Sequence, residues 1–181
     1  MKIVRFSNEE TVKYGVLDGS VVRGIQISPF CELWDHGAPM FDGTEYPVEN
    51  VTLLVPCEPT KYLGVGLNFT GAAKMLGRAA PEYPITFLKP TSAVVPSGAA
   101  IEIPVFEGYH YLYEGELAVV IGKEAKNVSR ENALDYVLGY TCSNDITDFT
   151  NFEKDPLKLK CADTFGPVGP CIETELDAAH T

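Results

Sequence analysis

A mostly β, α+β fold is what this sequence predicts, and three observations carry the prediction. Short apolar runs rich in β-branched and aromatic residues recur along the chain. Proline and glycine interrupt them often, 13 and 16 times in 181 residues. Helical spacing of apolar residues is confined to two stretches, near Thr70 and after Ser129. A hydrophobic content of 45% supplies a core for one domain, or for a main domain with an appendage.

The elements follow in order. Ile3–Phe6 and Tyr14–Leu17 read as strands, and Asp18-Gly19-Ser20 between apolar runs is a hairpin signal leading to Val21–Ile25. Residues 28–50, rich in Pro, Gly, Asp and Glu, read as a linking segment. Val51–Pro56 reads as a strand opening the main domain, and Tyr62–Asn68 as a buried strand whose glycines allow close backbone approach. A short helix is expected over Thr70–Leu76, ended by Gly77 and kept short by Pro81 and Pro84. Ile85–Pro90 is a strand closed by proline. Leu117–Ile121 is apolar on both faces and reads as buried. Ser129 is a suitable N-cap for a helix carrying Ala133, Leu134, Val137 and Leu138, with Gly139 as its terminal glycine. Tyr140–Asp145 returns as a strand. The division expected is 1–57 as a small N-terminal β segment with its linker and 58–181 as the main domain.

Composition excludes several classes of function. A formal net charge of −11 without a basic cluster argues against a nucleic-acid partner. No apolar run is long enough to span a bilayer, and Met1–Phe6 alternates like a strand instead of forming a signal-peptide core. Cys31, Cys57, Cys142, Cys161 and Cys171 are odd in number and contain no CxxC pair, so reduced thiols and a cytoplasmic location are expected.

The segment Tyr113–Gly122 carries the chemistry. Glu114 and Glu116 are two apart on a strand and so share a face. Adjacent carboxylates at the edge of a core repel and lose hydration unless a proton or cation holds them. A hard divalent ion is one resolution; a strand end with two solvated acids is the other, and the segment alone leaves both open.

Taken together, the ordered segments Gly64–Phe69, Phe87–Pro90, Tyr113–Lys123, Val137–Thr141, Asn144-Asp145 and Lys160–Pro167 resemble the fumarylacetoacetate hydrolase family. The nearest likeness is to the branch acting on 2-oxo dioic acids in aromatic catabolism, which holds isomerases, decarboxylases, hydratases and acylpyruvate hydrolases. The resemblance implies a mixed β-roll or β-sandwich catalytic domain. It also implies Mg2+ or Mn2+ (with Ca2+ acceptable to such a site) held by Glu114, Glu116 and Asp145. Lys160 matches the family lysine that helps hold and polarise the substrate, although Lys158-Leu159-Lys160 also reads as a solvated alternation. Lys89, Lys74 and Thr164 are secondary candidates for substrate contact.

The sequence departs from the family in three places. The hydrolytic lid pattern N-Y-x-x-H-x-x-E falls on Asn68–Met75, where Ala72 replaces the histidine and Met75 the glutamate. Neither moves a proton, so water activation by that dyad is excluded. Lys74 is a conceivable substitute, or simply solvent-facing. Phe149 stands where the family has an arginine, and Phe149 and Phe152 suggest an apolar substrate tail or a packed loop. His110 lies near a family histidine and reads as a supporting or surface residue. The family domain also continues past the Gly166–Pro170 segment, so the C-terminal strands are expected to be missing. An exposed sheet edge of that kind calls for a homodimer or another chain to complete it.

The leading expectation is a metal-dependent enzyme on 2-oxo or 2,4-dioxo acids working through an enolate, with isomerisation, tautomerisation or decarboxylation favoured over C–C hydrolysis. The alternative is a catalytically reduced homologue or fragment that binds a ligand or supports a partner subunit.

Overall fold

The computed structural model describes residues 1–9, 11–34, 38–104, 108–151, 155, 157 and 160–177. Strands β1 (Lys2–Ser7), β2 (Val12–Asp18) and β3 (Val21–Ile25) form an antiparallel meander. Gly19 takes φ +57° in the β2–β3 turn, a backbone conformation that suits glycine. β4 (Phe41–Pro47) continues the meander from within the expected linker. Its apolar residues are too sparse to stand out, but its backbone pairs with β3. β5 (Thr52–Leu53) pairs with β1 at Phe6↔Leu53, so the expected opening strand of the main domain belongs to the N-terminal strands instead.

Next come β6 (Tyr62–Gly66), helix α1 (Thr70–Met75) and β7 (Ile85–Lys89), with β6 and β7 forming a separate antiparallel pair. β6 is less buried than expected: Leu63 is 60% exposed and Val65 37%. Its Gly64 does meet the expectation of close approach, because a Cβ there would run into the Phe87 ring. α1 ends as expected, with Gly77 at φ +63° just beyond it.

β8 (Val94–Pro96), β9 (Tyr111–Leu112), β10 (Gly115–Ile121), β11 (Val137–Asn144), β12 (Thr147–Asp148) and β13 (Gly166–Glu173) complete the strands among the described residues. A nine-stranded sheet runs β10-β11-β13-β1-β2-β3-β4, with β5 on β1 and β8 parallel to β13. β9 and β12 pair separately. The sheet thus passes from the N-terminal strands into β13 and β11 without a break, through Lys2↔Glu173 and Ile3↔Ile172.

β1 lies in the middle and is buried on both faces. Ile3 packs in one cluster with Ile25, Trp34, Val120, Leu138 and Ile172, while Val4 and Phe6 pack on the opposite side with Val22. Burying side chains of this size contributes about 1.5–3 kcal/mol each.

Two further expectations fail. The helix after Ser129 is instead a 3-10 segment over Arg130–Tyr136, with no side-chain cap from Ser129. Val137 and Leu138 already belong to β11, and Gly139 lies inside that strand with Glu173 O 2.5 Å from where a Cβ would sit. The helical spacing had no face to bury, since Leu134 is 73% exposed; the ladder to β10 and β13 supplied the backbone with better partners. β10 ends the sheet opposite β4, and only its Val120 is buried while Leu117, Val119 and Ile121 are 48%, 53% and 52% exposed. An apolar run without alternation does not say how many of its faces are covered, and packing covers one. Among the described residues, no helix is long and apolar enough to cross a membrane.

Candidate metal and substrate site

The site forms where β10 begins and β11 ends. The antiparallel register Gly115↔Asn144 and Glu116↔Ser143 brings the paired glutamates beside Asp145. The backbone fixes this approach: Asp145 N–H donates to Glu114 O at 2.9 Å, and Glu114 N–H donates to Asn144 Oδ1 at 3.1 Å. One ligand oxygen from each of Glu114, Glu116 and Asp145 lies within 4.8 Å of the others. These three sequence candidates therefore meet at one point.

Two lysines face them. Lys89, at the end of β7, is 1% exposed and donates to Asp145 Oδ1 at 2.5 Å and, at greater length, to Ile146 O at 3.4 Å. Lys160 Nζ bridges Glu114 Oε1 at 2.7 Å and Asp145 Oδ2 at 2.5 Å. The Phe87 ring centroid is 5.1 Å from the same ammonium, within range of a cation–π contact. Three carboxylates against two ammonium groups leave one uncompensated negative charge.

That charge falls on Glu116. Among the described residues no hydrogen bond or ion pair reaches its carboxylate. Burial, and then the neighbouring Asp145 and Glu114 charges, raise its pKa above the ordinary glutamate value, and the two lysines only partly oppose this. Burial also lowers the pKa of Lys89 despite its pairing with Asp145. Oxygen donors of this kind suit a hard divalent ion, and the unpartnered Glu116 is the group such an ion would relieve.

Four supporting residues were not among the sequence candidates. Thr147 Oγ1, at the start of β12 and two residues after Asp145, donates a short hydrogen bond to Glu114 Oε1. Tyr62 Oη and Ser143 Oγ share another short hydrogen bond, and nothing local to either residue announces it. Burial raises the Tyr62 pKa, with Asp145 and Glu116 adding to the effect and the Ser143 bond opposing it. Gly166 leaves space for both the Tyr62 ring and the Lys89 stem: a Cβ there would lie 2.9 Å from Tyr62 Cε1 and 3.4 Å from Lys89 Cε.

The remaining candidates stand apart. Lys74 is exposed on α1, and no described contact ties it to the carboxylates. Thr164 Oγ1 accepts from Glu102 N–H at 2.8 Å, which ties its hydroxyl to a loop. That loop borders a cavity of about 410 Å³ lined by Glu102, Ile103, Pro104, Ala162 and Asp163, which includes none of the three carboxylates. His110 is exposed, with its backbone joined to Thr150 and Phe149. Phe149 is half-buried, and Phe152 lies outside the described residues.

Comparison with known proteins identifies the family and the fold. Residues 61–181 match the family model described as fumarylacetoacetate (FAA) hydrolase C-terminal, and residues 1–56 match one described as Rv2993c-like, N-terminal. Protein Rv2993c of Mycobacterium tuberculosis is 34% identical over 180 residues, covering 97% of this chain and 67% of that protein. The structure of a 5-carboxymethyl-2-hydroxymuconate delta-isomerase from Mycobacterium smegmatis superposes with a TM-score of 0.84 at 34% identity, covering 99% of this chain and 69% of that one. A mitochondrial oxaloacetate tautomerase, FAHD2 of Arabidopsis thaliana, is 48% identical over 89 residues, which is 49% of this chain and 39% of that protein. The chain spans about two fifths to two thirds of the length of the curated relatives it matches.

Proposed function

The chain belongs to the fumarylacetoacetate hydrolase family, and on that premise we propose that it is a divalent-metal-dependent enzyme acting on 2-oxo or 2,4-dioxo acids. The reaction class we assign is isomerisation, keto–enol tautomerisation or decarboxylation. One observation carries the reading: Glu114, Glu116 and Asp145 converge within 4.8 Å, and one of the three lacks a counter-charge.

Those three residues would hold Mg2+ or Mn2+, and Ca2+ fits the same donors. When bound, the ion supplies positive charge that favours the enolate of a 2-oxo acid. The chain's own residues do the rest. Lys160 donates a hydrogen bond from Nζ to the oxygen on which negative charge develops, where such a donor is worth several kcal/mol of barrier. Lys89 is too deeply buried to reach a substrate and orients Asp145. Ala72 and Met75 move no proton, and Met75 is 82% exposed, so a reaction that needs an enolate but no activated water suits this chain. The isomerase and tautomerase among its relatives act within that class.

Calorimetric titration with Mn2+, with and without oxalate as an enolate mimic, tests the proposal. Binding that tightens with oxalate and disappears in Glu116→Ala is the expected result. Absence of Mn2+ binding at about 1 mM, a free energy near −4 kcal/mol, would overturn it and favour a homologue that has kept the fold without the chemistry.

A further inference from the structure

We infer that Lys160 is an exchangeable counter-ion: in the metal-free protein its ammonium occupies the place of the divalent ion, and it must leave Glu114 and Asp145 before those carboxylates take a metal. This rests on the metal reading of the site and adds a role for the lysine within it.

The geometry supplies the argument. The Lys160 ammonium touches Glu114 Oε1 and Asp145 Oδ2 at 2.7 and 2.5 Å, oxygens from two of the three candidate ligands. A divalent ion needs its oxygen ligands at roughly 2.0–2.6 Å. Two cations cannot share that position, because each would strip the other's contacts and repel it at close range. The second lysine is built differently. Lys89 holds the other oxygen of Asp145, is 1% exposed, and reaches a backbone carbonyl as well. Lys160 is 12% exposed, has only carboxylate partners among the described residues, and already lies 5.1 Å from the Phe87 ring, which offers its ammonium a second resting place. One lysine is a fixed counter-charge and the other a replaceable one.

Exchange also changes what the site attracts. Metal-free, the five charges sum to −1; with a divalent ion added and both lysines kept, they sum to +1. The displaced ammonium is then free to pair with an anion arriving beside the ion. The site would therefore repel 2-oxo acid anions until it is loaded and attract them afterwards, which orders binding as metal first, acid second.

Reductive methylation of the full chain with formaldehyde, read by peptide mass spectrometry, tests the exchange directly. Saturating Mn2+ is expected to raise labelling at Lys160 about threefold or more while Lys89 stays protected in both states. In parallel calorimetry, Lys160→Met is expected to bind Mn2+ about tenfold more tightly than wild type, a gain of about 1.4 kcal/mol. Lys160→Arg, which keeps the charge, is expected to bind no more tightly than wild type; it also serves if circular dichroism finds Lys160→Met unfolded. Labelling at Lys160 that stays constant while wild type binds Mn2+ overturns the exchange alone. Failure of wild type and both variants to bind Mn2+ overturns the metal reading and this inference with it.

Discussion

Two lysine–carboxylate networks in this protein look alike on a contact map and differ in what they leave unmet. Across β3, Lys13 Nζ of β2 donates to Asp42 Oδ2 of β4 at 2.6 Å, and Thr44 donates to Asp42 Oδ1 through both its N–H and its hydroxyl. One cation meets one anion, and every Asp42 oxygen is occupied. The lysine and threonine bonds bring the Asp42 pKa down from 3.8 to about 2. At the β10–β11 end, two lysines meet three carboxylates and Glu116 is left over, with its pKa displaced the opposite way. The first network is complete as folded. The second leaves one carboxylate without a counter-charge, and that difference separates a structural ion pair from a candidate binding site.

The largest expected effect breaks the second network from beneath. Lys89→Met removes the buried partner of Asp145 and should cost about 3 kcal/mol in urea unfolding of the metal-free protein, as for other buried pairs deprived of one member. A cost no larger than that of a surface pair would mean that the two networks are energetically alike.

Glu116→Gln should act in the opposite direction and by less. The raised pKa means that the folded protein holds this proton more tightly than the unfolded chain. Wild type therefore loses stability as pH rises from the ordinary glutamate value through the raised one. Above that window the glutamine variant should be more stable without metal, by roughly 1 kcal/mol on the scale of like-charged sheet neighbours. It should also lose stabilisation by Mn2+. Thermal melts at neutral and acidic pH, with and without the ion, read both effects; a variant less stable than wild type at neutral pH would place Glu116 among the structural carboxylates.

Asp42→Asn should show the smallest change, about 0.5 kcal/mol at neutral pH, because both partners are partly exposed. Its sign in pH is the reverse. A depressed pKa contributes stability above 3.8 that disappears as pH falls through about 2. Acid titration of the variant should accordingly have a shallower limb in that window than wild type.

Much of the fold could be read from local pattern. The Asp18-Gly19 hairpin, the short helix stopped at Gly77, and the strands at Ile3, Tyr62, Ile85 and Tyr140 all form where residue chemistry places them. The segment after Ser129 misled because helical spacing and strand entry overlap there, and cross-strand partners for Val137 and Leu138 outweighed the local spacing. β4 escaped notice because its residues are polar and its pairing with β3 is long-range.

The site divides along the same line. The sequence by itself determined the candidate residue types: a same-face glutamate pair, an aspartate and a lysine in family motifs, and no proton carrier at Ala72 or Met75. Period-two geometry and side-chain chemistry are local properties, so they can be read from neighbouring residues. Only the tertiary structure decided the charge balance. It brought Lys89 across 56 residues onto Asp145, set Tyr62 against Ser143 across 81, and placed Lys160 between two of the three carboxylates. Those placements depend on strand order and sheet packing, and the Coulomb energy they set falls with distance in space, whatever the separation along the chain.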